Sequence, residues 1–453
     1  MKNLTESALA WLCTLLKERY GHDFIVERAD QHLHLRLADK SEDYRSIIFP
    51  VMLPCFNKAD SDFPCGHWDA RDEGFSPALD EHLATPGLAN PPIPLVEQQG
   101  NNVVIHYDIL GFTYWMLSRL EEVGRNDLDN HGRFPAASSH AFKYGYLERP
   151  IVDEWLHVLG QVIQRVWPLI ELKRHRFSMK VSHDVDNPSR YAFSSFASFM
   201  RSIAGDILKH RNFKRALLAP WVRLNTKQQL HIDDPFNTFD WLMDISDENN
   251  LQSAFYFICG RTDPSKDSDY EPEHPVIREL MRRIHRRGHE VGLHPSYDTY
   301  QAPELIRQEA ARLKDICAEE GIYQEQWGGR MHFLRWQHPT TLQAWEDAGM
   351  AYDTTLGYAD HPGFRCGTCF EYPAFNPQSQ QALELRIRPL IVMESTIIAE
   401  RYMGLAYTQG ALEKFQELKG KCKAVNGMFT LLWHNSHFMS QDDFLFYKDL
   451  VIK

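Results

Sequence analysis

The sequence predicts an α/β protein: a parallel sheet, open or closed into a barrel, fills residues 171–453 and follows a smaller mixed α+β domain over 1–170. Two observations carry this prediction. From Phe177 onward, short apolar runs alternate with amphipathic helical stretches, the pattern of a parallel sheet crossed by helices. With 43% of its 453 residues hydrophobic and 24% charged, the chain can also build a large core, which excludes disorder of the whole. The balance of 49 Lys and Arg against 61 Asp and Glu, net −12, argues against a general nucleic-acid binder.

In the first part, Ala8 to Leu16 is apolar, but Glu6 precedes it and Lys17-Glu18-Arg19 follows where a leader would be cleaved. The stretch reads as an amphipathic first helix of a cytoplasmic protein. Asp23 to Glu27 and the alternating His32 to Leu37 read as strands. Ala84 to Pro94, rich in Pro and Gly, reads as a loop, and Asp108 to Glu122 and Val152 to Val166 as helices. No run approaches the ~18 apolar residues of a membrane span. The eight scattered cysteines are expected as reduced thiols, and Cys366-x-x-Cys369 lacks the second pair of a zinc ribbon.

In the second part the expected strands are Phe177 to Ser182, Ala254 to Ile258, Glu290 to Leu293, Met350 to Tyr352 and Phe429 to Trp433. The expected helices are Pro275 to Arg287, Pro303 to Glu320, Thr340 to Ala348 and Ala411 to Ala424. In barrels of this type the chemistry sits where strands end, so the polar residues there are the informative ones. The first strand ends in Ser182-His183-Asp184-Val185-Asp186, two carboxylates that can share a metal or divide into base and ligand. His294 closes another strand, and Asp298 stands four residues on, a spacing that can bring both to one metal. His289, at the far end of that strand, reads as a buried structural histidine. Gly328-Gly329 allows close backbone approach before Arg330, which can pair with a buried carboxylate. His434 ends the last strand, where a general acid would sit.

Taken together, Asp-x-Asp (Asp184, Asp186), Gly288-His289-Glu290-Val291-Gly292-Leu293-His294, Arg330 and Leu431-Leu432-Trp433-His434 resemble the polysaccharide deacetylases of carbohydrate esterase family 4. The resemblance spans roughly Phe177 to Phe438 and is nearest to a branch with an extra N-terminal domain, associated with bacterial surface-glycan gene clusters. It implies a distorted (β/α) barrel and metal-dependent removal of N-acetyl groups from acetamido sugars, with a divalent metal, usually zinc. It assigns Asp184 as base, Asp186 and His294 as metal ligands, Arg330 as the holder of the base and His434 as the acid. The family's second metal histidine is replaced by Asp298, and His332 stands where its arginine motif continues with prolines, so the third ligand is His332, Asp298 or water. Two other readings stand beside this one: a hydrolase of a non-sugar amide or cyclic ureide, and a metal-binding scaffold without turnover.

A polar segment from Tyr352 to Cys369 reads as a substrate loop that includes Tyr358 and Arg365. Trp327, Trp336, Tyr358 and Trp433 are the candidate sugar-stacking aromatics. Between the first two strands, Tyr191 to Leu230 carries seven Lys and Arg against one acid, interleaved with apolar residues at helical spacing. This insert is expected either to pack on the barrel or to lie on an anionic membrane. The substrate is accordingly expected to be a nucleotide-linked or a lipid-linked acetamido sugar.

Overall fold

A computed structural model describes residues 4–38, 44–209 and 211–452. The opening helix, Glu6–Tyr20, begins where the Thr5 side chain accepts the Ala8 N–H and ends at Gly21, whose φ of 79° suits glycine. The strands that follow are β1 Phe24–Ala29, β2 His32–Leu37, β3 Ile47–Pro50, β4 Cys65–Asp69, β5 His82–Pro86, β6 Val96–Gln99 and β7 Asn102–Ile105. Five of them form a sheet in the order β1-β2-β3-β7-β6, parallel only between β3 and β7; β4 and β5 pair separately. The alternation over His32 to Leu37 is a strand as expected, with Leu33, Leu35 and Leu37 turned inward.

Two expectations need correction here. Ala84 to Pro86 belongs to β5, because its register with β4 makes use of a stretch that composition marks as loop. The helix expected from Asp108 stops at Leu117: Arg119 adopts φ 48° and turns its buried guanidinium onto Glu121 and Glu122.

The second sheet comprises β8 Ser178–Val185, β9 Ser253–Ile258, β10 Glu290–His294, β11 Gly328–Gly329, β12 Tyr352–Asp353, β13 Tyr372–Asn376, β14 Gln381–Ile387, β15 Val392–Met393 and β16 Met428–Leu432. Their order is β13-β14-β12-β11-β10-β9-β8-β16-β15, and every pairing except β13 with β14 is parallel. The expected parallel sheet is present, and it is open: among the described residues no pairing joins β13 to β15. All six residues of β9 are buried, as in a strand covered on both faces. Helices Pro275–Arg286, Pro303–Glu319, Thr340–Asp347 and Gln409–Ala424 lie where the periodicity placed them, within two residues. The parallel strands deliver the chain ends after β8, β10, β11, β15 and β16 to one edge.

One apolar core runs through both parts, from Ala8 to Val451. Trp11 of the first helix packs with its ring 5.1 Å from that of Phe375 of β13, and its Nε1 donates to Pro373 O at 2.9 Å. The insert forms two helices, Phe196–Leu208 and Phe213–Asn225, around a small core of their own.

Candidate active site

Residues alternate across β8, so Ser182 and Asp184 share one face while His183 takes the other, where its Nδ1 donates to Trp433 O at 2.7 Å. Arg330 reaches both side chains of the first face. Its Nη1 donates to Asp184 Oδ1 at 2.7 Å, its Nη2 to Ser182 Oγ at 2.8 Å and its Nε to Thr354 O at 3.0 Å. Arg330 is completely buried, and these bonds satisfy a charge that would be expensive to leave alone. Two glycines bring it there. A Cβ on Gly329 would stand 1.9 Å from Leu293 O, and one on Gly328 would stand 2.2 Å from the Tyr352 ring.

His294, at the end of β10, places Nδ1 2.6 Å from the Arg330 carbonyl. A carbonyl only accepts, so Nδ1 carries the hydrogen and Nε2 holds a free lone pair. That Nε2 lies 3.3 Å from Asp186 Oδ1 and 3.7 Å from Asp184 Oδ2. His332 is arranged in the same way: Nδ1 meets Asp267 Oδ1 at 2.9 Å, and Nε2 faces Asp186 Oδ1 at 3.8 Å. The Asp267 carboxylate is itself held by the N–H groups of Thr262, Asp263 and Tyr297. Burial works against its charge, but the His332 hydrogen bond and these N–H groups keep it below the usual carboxylate range.

Three ligand atoms of Asp186, His294 and His332 therefore converge within 4.8 Å of one another. Asp186 Oδ1 is shut off from solvent and has no hydrogen-bond partner. Two imidazole lone pairs and an unpartnered carboxylate oxygen are a donor set that a divalent cation fits. The electrostatics agree. Burial opposes a charge on His294, yet Asp184 and Asp186 raise its pKa, and the field that draws a proton there also draws a cation.

The third group follows β16. His434 Nδ1 lies 2.5 Å from Glu394 Oε1, and His437 Nδ1 lies 2.8 Å from the same oxygen. Glu394 begins the turn after β15 and has no exposure. Burial opposes the charge on both partners. Even so, Glu394 carries the His434 imidazole up to about 10, while the two imidazoles hold Glu394 well below the carboxylate range. His434 Nε2 stands 3.6 Å from Asp186 Oδ2. Asp184, Asp186, His294, His332, His434 and His437 line one cavity of about 180 Å³, walled also by Phe333, Tyr402, Arg401 and Arg133.

Residues 11–168 match DUF7033, a family of unknown function. Among curated proteins none matches. Among solved structures, the chain is similar to one assigned as a polysaccharide deacetylase from Mycobacterium smegmatis, at 17% identity and TM-score 0.38, over 62% of this chain and 84% of that one. A Pseudomonas aeruginosa PAO1 structure given the same assignment is similar at 12% identity and TM-score 0.35, over 61% and 84%. The PuuE allantoinase is similar at 10% identity and TM-score 0.35, over 61% and 82%.

Several sequence-derived candidates lie elsewhere. After Ser296 the chain enters a 3-10 turn, Tyr297–Gln301, and the exposed Asp298 pairs with Arg335 at 2.7 Å instead of joining His294. Arg365 is not on a substrate loop; its Nε and Nη2 donate to Glu122 at 2.9 and 2.6 Å inside the protein. Tyr358 is buried against that guanidinium, and Trp336 is buried with its Nε1 donating to His338. Trp433 is wholly buried. None of these aromatics lines the cavity, because each large ring is taken up by the core. Trp327 precedes β11 and so sits at the opposite end of the sheet. Asp353 accepts hydrogen bonds from the Thr355 N–H and hydroxyl, and Cys366 and Cys369 are buried free thiols.

Sequence reading missed several of these residues. Glu394 follows a strand of two residues, too short to show periodicity. Asp267 and Arg401 lie in irregular chain. Arg133 comes from the N-terminal part, where its Nη1 donates to Phe333 O at 2.9 Å.

Proposed function

We propose that the protein is a divalent-metal-dependent hydrolase that removes the N-acetyl group from an acetamido sugar in surface-glycan synthesis, on the cytoplasmic side of the membrane. One observation carries the reading: a carboxylate held by an arginine (Asp184 with Arg330) and an imidazole held by a carboxylate (His434 with Glu394) line the same cavity as an Asp-His-His donor set. A structural metal site needs neither a base nor an acid, so this pairing favours turnover over a bare scaffold.

Asp186, His294 and His332 would hold the cation, and two imidazoles with one carboxylate suit Zn²⁺. A bound cation of this kind polarises a carbonyl and acidifies water. Asp184 takes a proton from the attacking water; Arg330 fixes its oxygen at 2.7 Å so that the other oxygen faces the cavity. The water oxygen then bonds to the acetyl carbon. The backbone amide of Phe333 is the proposed donor to the resulting oxyanion, since the His332 N–H is already spent on Pro295 O. His434 delivers its proton to the sugar nitrogen as the carbon–nitrogen bond breaks, so acetate and a free amine leave. General-acid assistance of this kind is worth about 10²–10⁴ in rate.

The test is acetate release from a panel of nucleotide-linked and lipid-linked acetamido sugars, with bound metal measured alongside. Release from an acetamido sugar together with stoichiometric metal supports the reading. Turnover of a cyclic ureide, with none of the sugars cleaved, would replace it.

A further inference from the structure

We infer that the helical insert, residues 196–225, is a docking element for an anionic lipid surface. It adds a location to the deacetylase reading and rests on that reading only for the nature of the substrate. The inward side of the insert is accounted for: Tyr191, Phe199, Ala219 and Val222 make its core. Tyr191 OH and Arg190 bond buried Asp206, and Arg223 clamps the carbonyls of Tyr191 and Ser194.

Among the described residues, the outward side is left uncovered. Phe196, Met200 and Leu208 fall at spacings of four and eight on the first helix, and Phe213, Leu217, Trp221 and Leu224 follow at four, four and three on the second. These seven side chains are exposed by 47–82%, a density that water does not favour on a free surface. The charge around them identifies the occupant. Arg201, Lys209, Arg211, Lys214 and Lys227 are all exposed, whereas the segment's single acid, Asp206, is buried. A second copy of the chain would bring the same uncompensated cations against themselves. A bilayer with acidic headgroups offers hydrocarbon depth to the rings and negative charge to the cations at once.

The insert also touches the cavity's surroundings. A groove of about 190 Å³ is lined by Asp186 and Asn187 together with Ser198 and Ser202 of the first insert helix. Arg215 Nη2 donates to Met439 O, tying the second helix to the chain that follows His437. A lipid-linked acetamido sugar fits this arrangement, with its chain in the bilayer and its sugar entering along the groove.

The experiment is co-sedimentation of the full chain with vesicles of phosphatidylcholine alone and of phosphatidylcholine with phosphatidylglycerol, at low and high salt. The expected result is binding only to the phosphatidylglycerol vesicles, weakened by salt. The double variant Leu217→Ser, Trp221→Ser should lower the bound fraction by on the order of tenfold or more, and Lys209→Glu with Lys214→Glu should abolish it at low salt. Circular dichroism checks that the variants fold; the changed side chains are exposed. No binding to anionic vesicles at low salt overturns the inference. So does a concentration-dependent dimer that Leu217→Ser dissociates while vesicle binding is unaffected. Since vesicle binding needs no turnover, a protein that binds vesicles and deacetylates nothing refutes the enzymatic reading alone.

Discussion

Glu394 Oε1 receives the Nδ1 hydrogens of both His434, at 2.5 Å, and His437, at 2.8 Å, from a position without solvent contact. The buried carboxylate keeps His434 protonated at neutral pH and turns its Nε2 towards the cavity, the state a proton donor needs. Removing that negative charge while keeping the shape should therefore impair proton delivery and leave the metal ligands in place. Glu394→Gln is expected to lower kcat by about 10–100-fold with metal content unchanged. A kcat within twofold of the parent would remove Glu394 from the proposed machinery.

The base and the acid make different demands on the substrate. Asp184→Asn should abolish turnover with metal still bound, because it removes the proton acceptor and not a member of the Asp186-His294-His332 set. His434→Ala should slow an amide substrate by about 10²–10⁴ and an acetate ester much less, since an alkoxide leaves far more readily than an amide anion. Equal losses on both substrates would contradict His434 as the acid.

The metal ligands can be separated by analysis of metal content. His294→Ala and His332→Ala should each strip the cation, while Asp298→Ala should not, because that carboxylate faces Arg335. The informative comparison is atomic absorption on the three purified variants. Full metal in His332→Ala would show that water or another group completes the set.

Glu122 joins the two parts of the molecule. Its carboxylate takes both arms of Arg365 and the Nε and Nη2 of Arg119, all with almost no exposure. Burial opposes its charge, but the two guanidinium groups bring its pKa down to about 2. A carboxyl held below its ordinary value stabilises the fold above pH 4.5, and that contribution fades as pH falls towards about 2. Glu122→Gln leaves two buried cations short of a counter-charge and should cost about 3–5 kcal/mol. Denaturant titration at pH 7 reads the loss, and the difference between variant and parent should shrink on acidification. A difference that grows towards low pH would contradict the assigned charge state.

The chain's own order of residues determined a great deal: the strand that carries Asp184 and Asp186, the strand that ends in His294, the close approach at Gly328-Gly329 before Arg330, and His434 after the last paired strand. These were legible because strand burial repeats every two residues and helix burial about every 3.6, so local pattern locates strand ends, and in a parallel sheet strand ends are where side chains meet. What the sequence could not order was the choice among chemically equivalent partners. His332 and not Asp298 faces Asp186, since a 3-10 turn after Ser296 redirects the chain. Glu394 reaches His434 across 40 residues from just beyond a strand of only two, which no periodicity reveals. Arg365, Tyr358 and Trp336 look like a substrate surface in sequence and are interior, because burial of large side chains depends on which surfaces the two parts of the chain cover in each other. The outward stripe of the insert is the converse case: the sequence shows that it is amphipathic, and only the packing around Phe199 and Val222 shows which of its apolar residues remain uncovered. Local physics writes periods of two and 3.6 into a sequence, whereas partners, burial and free surfaces arise from contacts between segments far apart in the chain.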